Sequence, residues 1–319
     1  MEKIRLALLA GGISSERSVS LNSGNQVFDA LDKDKYDILR YDPKTDLTQL
    51  VMDAPKIDAA LIILHGPFGE DGTVQGLLDL LDIPYQGAGV LGSAVAMNKL
   101  LSKRLYKGAD VPTPAFRSFT PNDAVDIPAL IRELGLPLVV KPACAGSSVG
   151  MTIVKKEPEL EQAIQEGFSH DDTILIEAYI KGLELTCGVL GNDDPRALPV
   201  IEIIPGQGHE YFDFQAKYVA GETQEICPAR IDSETTRRVQ DLAVKAHQAL
   251  FLKGYSRTDM ILAGEDLFVL ETNTIPGMTA TSLYPQSAMA AGYSFSQLLD
   301  KLIQLAIEEH QHTNQRRNQ

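Results

Sequence analysis

Residues 4–10 form a short apolar run that stops at Gly11-Gly12, the pattern of a buried strand. A helix is predicted over 18–31, and strands over 38–41 and 59–64, the latter ending at His65-Gly66. A further helix follows at 72–81. Strands alternating with helices imply an α/β unit with a parallel sheet and ligand loops at the C-terminal strand ends. Gly11-Gly12 does not complete GxGxxG, so a dinucleotide site has little support. Residues 93–107 look helical, and Val111-Pro112-Thr113-Pro114 marks a boundary. Strands are then expected at 138–142, 151–154 and 173–177, with a helix at 158–167. Antiparallel strands follow at 185–190 and 197–204. Residues 205–222 form a polar, Gly-rich segment, a candidate lid. An amphipathic helix at 233–252 and a last helix at 295–309 complete the pattern, with a disordered tail over 313–319.

Two strands near the C-terminus carry the strongest chemistry. Thr258–Leu262 and Leu267–Leu270 flank a turn at 263–266. Alternation puts Arg257 and Asp259 on one face, and Glu271 and Asn273 on one face. If the hairpin turns both faces to one side, Asp259, Glu271 and Asn273 converge as hard oxygen ligands beside a guanidinium. That set suits Mg²⁺, which takes its other ligands from phosphates and water. The competing reading is a surface hairpin with solvated acids.

Composition narrows the class. The chain has 319 residues, 44% hydrophobic and 23% charged, a globular balance with room for two or three domains. No apolar run nears the ~20 residues of a membrane helix, and the start does not read as a secretory signal. Cys144, Cys187 and Cys227 show no disulfide or zinc spacing, which fits a reducing cytoplasm. A net charge of −14 disfavours nucleic acid as a partner. Any anionic substrate must then meet local cations, and Lys99, Lys141, Lys217 and Arg257 are the ones inside motifs.

Other motifs are weaker alone. Lys141 ends a strand before Gly146-Ser147-Ser148-Val149-Gly150, where small residues let backbone N–H groups approach a phosphate. The segment is not a Walker loop, and a plain β-hairpin turn explains it equally well. Glu177–Glu184 leaves a strand whose edge can read an adenine, with Glu184 on the ribose; a pair of solvated glutamates is the alternative. In His65–Gly72, three glycines and the two acids Glu70 and Asp71 suggest a ligand-facing turn; an Asp71 helix N-cap is the alternative, and both can hold. Lys217-Tyr218 lies in the candidate lid and would help to seal a site from water.

In order along the chain, Gly11–Ser20, His65-Gly66 with Gly69–Gly72, Met97-Asn98-Lys99, Lys141-Pro142 with Gly146–Gly150, Ala216-Lys217-Tyr218, Arg257-Thr258-Asp259 and Glu271–Thr279 resemble the D-alanine–D-alanine ligases of the ATP-grasp superfamily. The resemblance runs from about Leu8 to Leu302. It implies a three-domain α/β ATP-grasp fold with an N-terminal Rossmann-like parallel-sheet domain: 1–95, 96–182 and 183–312. The implied reaction joins two D-alanines through an acyl phosphate, with ADP and phosphate released, for peptidoglycan synthesis. By resemblance, Glu16 holds the first ammonium, Ser147 orients Glu16 and Tyr218, and His65 lies near the first carboxylate. Arg257 and the Gly277 N–H stabilise the oxyanion, while Ser282 and Leu283 grip the second carboxylate. For ATP, Lys99 and Lys141 bind phosphates over the Ser147-Ser148 cradle, and Lys217 covers the γ-phosphate. Glu177, Ala178, Tyr179, Ile180 and Glu184 hold adenosine, and Tyr211 borders the adenine. Asp259, Glu271 and Asn273 carry two Mg²⁺ ions, with Mn²⁺ as a substitute.

Tyr218 resembles the dipeptide-forming members; relatives that make D-alanyl-D-lactate usually have Phe in that segment. Ala143-Cys144-Ala145 departs from the charged residues common there, and Ile275 stands where many relatives have Ser. The family is commonly dimeric, so a homodimer is expected. Two rivals stand: an ATP-grasp ligase with another acceptor, and a nucleotide-binding regulatory module without turnover.

Overall fold

The computed structural model describes residues 2–146, 149–206 and 223–317, with Arg316 and Arg317 described through their backbone only. Its first unit alternates β1 (Ile4–Ala10), α1 (Arg17–Ala30), β2 (Tyr36–Tyr41), α2 (Leu47–Asp53), β3 (Ala59–Ile63) and α3 (Thr73–Leu80). The strands pair in parallel in the order β2-β1-β3. Side chains of β1 leave on alternate faces. Leu6 and Leu8 join one core with Val27 of α1, while Ala7 and Leu9 join another with Leu50 of α2 and Leu78 of α3. A strand covered on both faces has to be apolar throughout, which accounts for the run at 6–10.

The single helix predicted over 93–107 is two, α4 (Val90–Met97) and α5 (Lys99–Gly108). Asn98 breaks them apart. Its backbone is extended, and its side chain accepts from the Leu101 N–H at 3.0 Å. An Asn side chain that caps a new helix cannot also continue the old one.

A second sheet follows. It contains β4 (Phe116–Phe119), β5 (Leu138–Pro142), β6 (Thr152–Val154) and β7 (Ile174–Ala178), antiparallel in the order β4-β7-β5-β6. Helices α6 (Ile127–Leu134) and α7 (Leu160–Phe168) cover it through Leu130, Leu160 and Ala163. The pattern reading had no β4 or α6, although α6 has a legible start. Asp126 accepts from the Ala129 N–H at 2.9 Å, and a proline sits in the first turn.

The third sheet holds β8 (Leu183–Leu190), β9 (Arg196–Ala197), β10 (Ile201–Pro205), β11 (Thr223–Ile226), β12 (Tyr255–Ala263) and β13 (Asp266–Asn273), with β11-β10-β8-β12-β13 in order and β9 beside β8. The strand predicted at 197–204 is split because Pro199 offers no N–H to a ladder. Helix α8 (Ser233–Ala249) packs Val239, Ala243 and Ala246 onto Leu185, Cys187 and Val189.

Helices α9 (Leu283–Ala290) and α10 (Phe295–Arg317) end the described chain. Leu298 and Leu302 of α10 return to the first sheet and pack with Leu6 and Leu61. Helix α10 also corrects, over 313–317, the disordered tail expected from residue 313, since it continues to Arg317. Its polar end is tied locally: Gln304 donates to Glu308 at 2.8 Å, His310 lies 3.0 Å from Asn314, and the His310 ring lies 3.1 Å from Asp82. Contacts at i, i+4 sustain a polar helix that no apolar stripe announces. Among the described residues, no helix is long and apolar enough to cross a membrane.

Candidate active site

The hairpin does what alternation requires. Arg257 pairs with Asn273, Thr258 with Thr272, and Asp259 with Glu271. Residues directly opposite on antiparallel strands share a face, so Arg257, Asp259, Glu271 and Asn273 stand together. The back face is fixed by a Thr258–Thr272 hydroxyl contact of 3.0 Å and by the Tyr106 hydroxyl, which donates to Thr272 at 2.7 Å. A bulge between Asp259 and Met260 shifts the register just beyond the site. Such bulges re-aim side chains at the end of a ladder.

Arg257 grips Asp259 with two bonds, Nε to Oδ1 at 2.9 Å and Nη2 to Oδ2 at 2.8 Å. Thr186 donates to the same Oδ1 at 2.6 Å. Three donors orient a carboxylate that is only 6% exposed, and leave lone-pair capacity for a cation. Asn273 turns its amide oxygen to the Ile275 N–H at 2.9 Å, which orients that group as well. No cluster of three His, Cys, Asp or Glu side chains suited to a metal occurs among the described residues. The donor set is instead two carboxylates completed by an amide, which fits an Mg²⁺ ion that draws its other ligands from phosphate and water.

Arg257, Glu271 and Asn273 of this face line a cleft of about 440 Å³. Across it lie the loops after β1 and β3. Glu16 is buried at 6% exposure, and the Ser14 hydroxyl donates to the His65 carbonyl at 2.7 Å, tying the loops together. Gly66 and Gly146 make room for the Glu16 carboxylate: a Cβ on either would come 2.7 or 3.2 Å from its Oε2. Arg17 pairs with Asp42, which also accepts from the Gly12 N–H at 2.9 Å. Hydrogen bonding from Arg17 holds the Asp42 carboxyl down at about 2. His65 is buried, with Nδ1 3.5 Å from Glu70 and Nε2 without a hydrogen-bond partner among the described residues. Burial pushes the Glu70 carboxyl up, against the pull of His65.

Lys99, at the start of α5, donates to the Ala145 carbonyl at 2.6 Å and lies 3.8 Å from Glu271. Lys141 lies 3.0 Å from Glu177. Glu177 is no solvated strand-end acid: it is buried at 2% exposure between Lys141 and Lys103, the latter at 3.2 Å. The Ala178 N–H is taken by the Ala115 carbonyl at 2.9 Å and that of Tyr179 by Pro137 at 3.1 Å. Ile180 lies in the connection from β7 to β8, and Glu184 on β8 stands between Ile203 and Ile261. At the far end of the cleft the Ser282 hydroxyl meets that of Thr279 at 2.7 Å and accepts from the Thr279 N–H at 3.2 Å. Ser282 stands at the N-cap of α9, beside Gly277, and Leu283 is buried in its first turn. Cys144 is exposed, its thiol pushed up by partial burial and by Asp171.

Ser147, Ser148, Tyr211, Lys217 and Tyr218 lie outside the described residues. The sequence reading had no role for Lys103, which meets Glu177, for Thr186, which meets Asp259, or for Glu225, which lines the cleft. Glu70, one of the two acids that marked His65–Gly72 as a ligand-facing turn, meets His65. Lys103, one turn beyond Lys99, carried the only other signal.

Comparison with known proteins agrees with this geometry. The family model described as D-ala D-ala ligase C-terminus matches residues 105–304, and the one described as D-ala D-ala ligase N-terminus matches residues 43–88. The D-alanine–D-alanine ligase of Syntrophobacter fumaroxidans is 59% identical, over 97% of this chain and 99% of its own. That of Desulfotalea psychrophila is 54% identical, over 97% and 96%. The crystal structure of the Bacillus anthracis enzyme complexed with ATP superposes with a TM-score of 0.85 at 35% identity, over 97% of this chain and 99% of that one. The VanG D-Ala:D-Ser ligase of Enterococcus faecalis gives 0.81 at 33%, over 96% and 100%. The fold is the α/β ATP-grasp architecture, with its parallel sheet at the N-terminus. The chain is a member of the D-alanine–D-alanine ligase family.

Proposed function

We propose that this enzyme joins two D-alanines at the expense of one ATP, and that the dipeptide serves peptidoglycan synthesis. The observation that carries the reading is the face on which Arg257, Glu271 and Asn273 line one cleft with Glu16 and His65, while Asp259 holds Arg257 from beside it. Glu16 receives the ammonium of the first D-alanine, and His65 lies at its carboxylate. Lys99 and Lys141 draw in the nucleotide phosphates, with Lys217 and the Ser147-Ser148 cradle closing over them. Ala178, Tyr179, Ile180, Glu184 and Tyr211 border the nucleoside.

The first carboxylate attacks the γ-phosphorus, and ADP leaves. The amine of the second D-alanine loses a proton and attacks the acyl carbon. The tetrahedral intermediate then collapses to dipeptide and phosphate. Arg257, held in plane by Asp259, and the Gly277 N–H stabilise the oxyanion, each such donor being worth about 3 kcal/mol. Ser282 and Leu283 receive the second carboxylate. Asp259, Glu271 and Asn273 would hold two Mg²⁺ ions, or Mn²⁺, which neutralise charge on the transferring phosphoryl group. Positioning and charge carry the rate in such transfers, so the rigidity of the hairpin matters more than any one nucleophile.

Three cysteines without a disulfide support a cytoplasmic setting. Exposed Leu80 and Leu91, on α3 and α4, support a homodimer, which sedimentation equilibrium will test. The deciding experiment is phosphate release from MgATP with D-alanine, L-alanine or no amino acid, with products weighed by mass spectrometry. One D-alanyl-D-alanine per phosphate, with D-alanine alone, is expected. ATP binding without D-alanine-dependent release would instead favour another acceptor or a regulatory role.

A further inference from the structure

Lys103 is fully buried, which is costly for an ammonium unless it is paired. It stands on α5 one turn beyond Lys99, facing inward with Tyr106. Its Nζ donates to the Thr113 hydroxyl at 2.6 Å and lies 3.2 Å from Glu177 Oε2. The ring of Phe116 lies 5.6 Å away. Lys141 reaches the other oxygen of Glu177, at 3.0 Å. Two ammonium groups thus share one buried carboxylate, and the cluster is one negative charge short. Among the described residues, the further charge acting on Lys103 is Glu271 of β13, which itself lies 3.8 Å from Lys99.

The imbalance shows on every member for which it is resolved. The two lysines hold the Glu177 carboxyl below its ordinary range even though burial opposes them. Burial, with Lys141 adding to it, pulls Lys103 down to about 8, against the attraction of Glu177. A bound polyphosphate at Lys141 is an anion of the kind the cluster lacks.

We propose that Lys103 is a positioning residue for the nucleotide: by taking one oxygen of Glu177, it leaves Lys141 with a shared counter-charge, so that the Lys141 ammonium is held at the cleft and still attracts phosphate. Without Lys103, Glu177 and Lys141 would close into a neutral pair. The inference rests on the reading of Lys141 as a phosphate ligand.

The test is the binding of Mg²⁺–adenylyl imidodiphosphate, measured by titration calorimetry on the full-length wild type, Lys103→Met and Lys103→Arg. Loss of a unit charge at close range, in a site of effective dielectric about 20, should weaken binding at pH 7.5 by roughly tenfold or more in Lys103→Met. The KM for D-alanine should stay within about twofold. Lys103→Arg, charged at all working pH values, should restore affinity. At pH 8, buffers of different ionisation enthalpy should reveal net proton uptake on nucleotide binding by the wild type and none by Lys103→Arg. That readout needs no destabilised variant and would not move if Lys103 only supported the fold. Equal affinities of wild type and Lys103→Met, or equal proton uptake by wild type and Lys103→Arg, overturn the inference alone. No nucleotide binding by the wild type removes the phosphate site and the inference with it.

Discussion

Gly66→Ala should damage catalysis far more than its effect on stability implies. Gly66 has φ +71°, a left-handed conformation that disfavours any L side chain. That strain costs about 1–2 kcal/mol. The new Cβ would also stand 2.7 Å from Glu16 Oε2, where ordinary contact begins at 3.4 Å. The carboxylate must therefore retreat by about 0.7 Å, and misplacement on the order of 1 Å can cost up to ~100-fold in rate. Gly264 in the hairpin turn is the control: φ is +63° and nothing lies within 4 Å of its added Cβ. Gly264→Ala bears the same strain with no displaced neighbour. Both variants should lose about 2–4 °C in Tm by calorimetry. In the phosphate-release assay, Gly264→Ala should keep kcat/KM for D-alanine within about twofold, and Gly66→Ala should lose between ~10- and ~100-fold. Equal kinetics in the two variants would refute the claim that Gly66 makes room for a substrate-binding carboxylate.

Glu271→Gln should abolish turnover by weakening the metal site, and near-normal phosphate release at saturating Mg²⁺ would remove Glu271 from the ligand set. Tyr218→Phe should raise the use of D-lactate relative to D-alanine as second substrate, and an unchanged product ratio would end the specificity argument. His247 is buried with Nδ1 2.8 Å from the Ser256 hydroxyl, and burial, aided by Lys253, holds it down at about 4. Below pH 6.5 the unfolded chain takes a proton that the fold refuses until about pH 4, so stability should fall across that window by ~3 kcal/mol. Tm measured from pH 7 to 4.5 should fall more steeply in the wild type than in His247→Gln, and parallel curves would show that His247 does not set the acid limit.

How much of this was legible depends on the range of the interactions. The period-two alternation around Arg257, Asp259, Glu271 and Asn273 is local, and it predicts a shared face wherever the hairpin lies. The β12–β13 register then follows from a short turn between two strands of nearly equal length. Buried strands such as β1 are readable too, because burial on both faces permits no polar position. The helix break at Asn98 was missed because a single Asn changes no hydrophobic period. The continuation of α10 to Arg317 was missed because polar i, i+4 pairs leave no apolar stripe.

The remainder belongs to the tertiary structure alone. No local rule brings Lys103, Lys141 and Glu177 together, since they come from a helix and two strands that meet only when the second sheet closes on α5. Glu16 acquires its place between Gly66 and Gly146 in the same way, from loops distant in sequence. The sequence by itself determined which side chains could do chemistry and which local faces they share, because backbone periodicity is a property of consecutive residues. The tertiary structure decided which charges are buried against one another, because desolvation and Coulomb energy depend on distance in space.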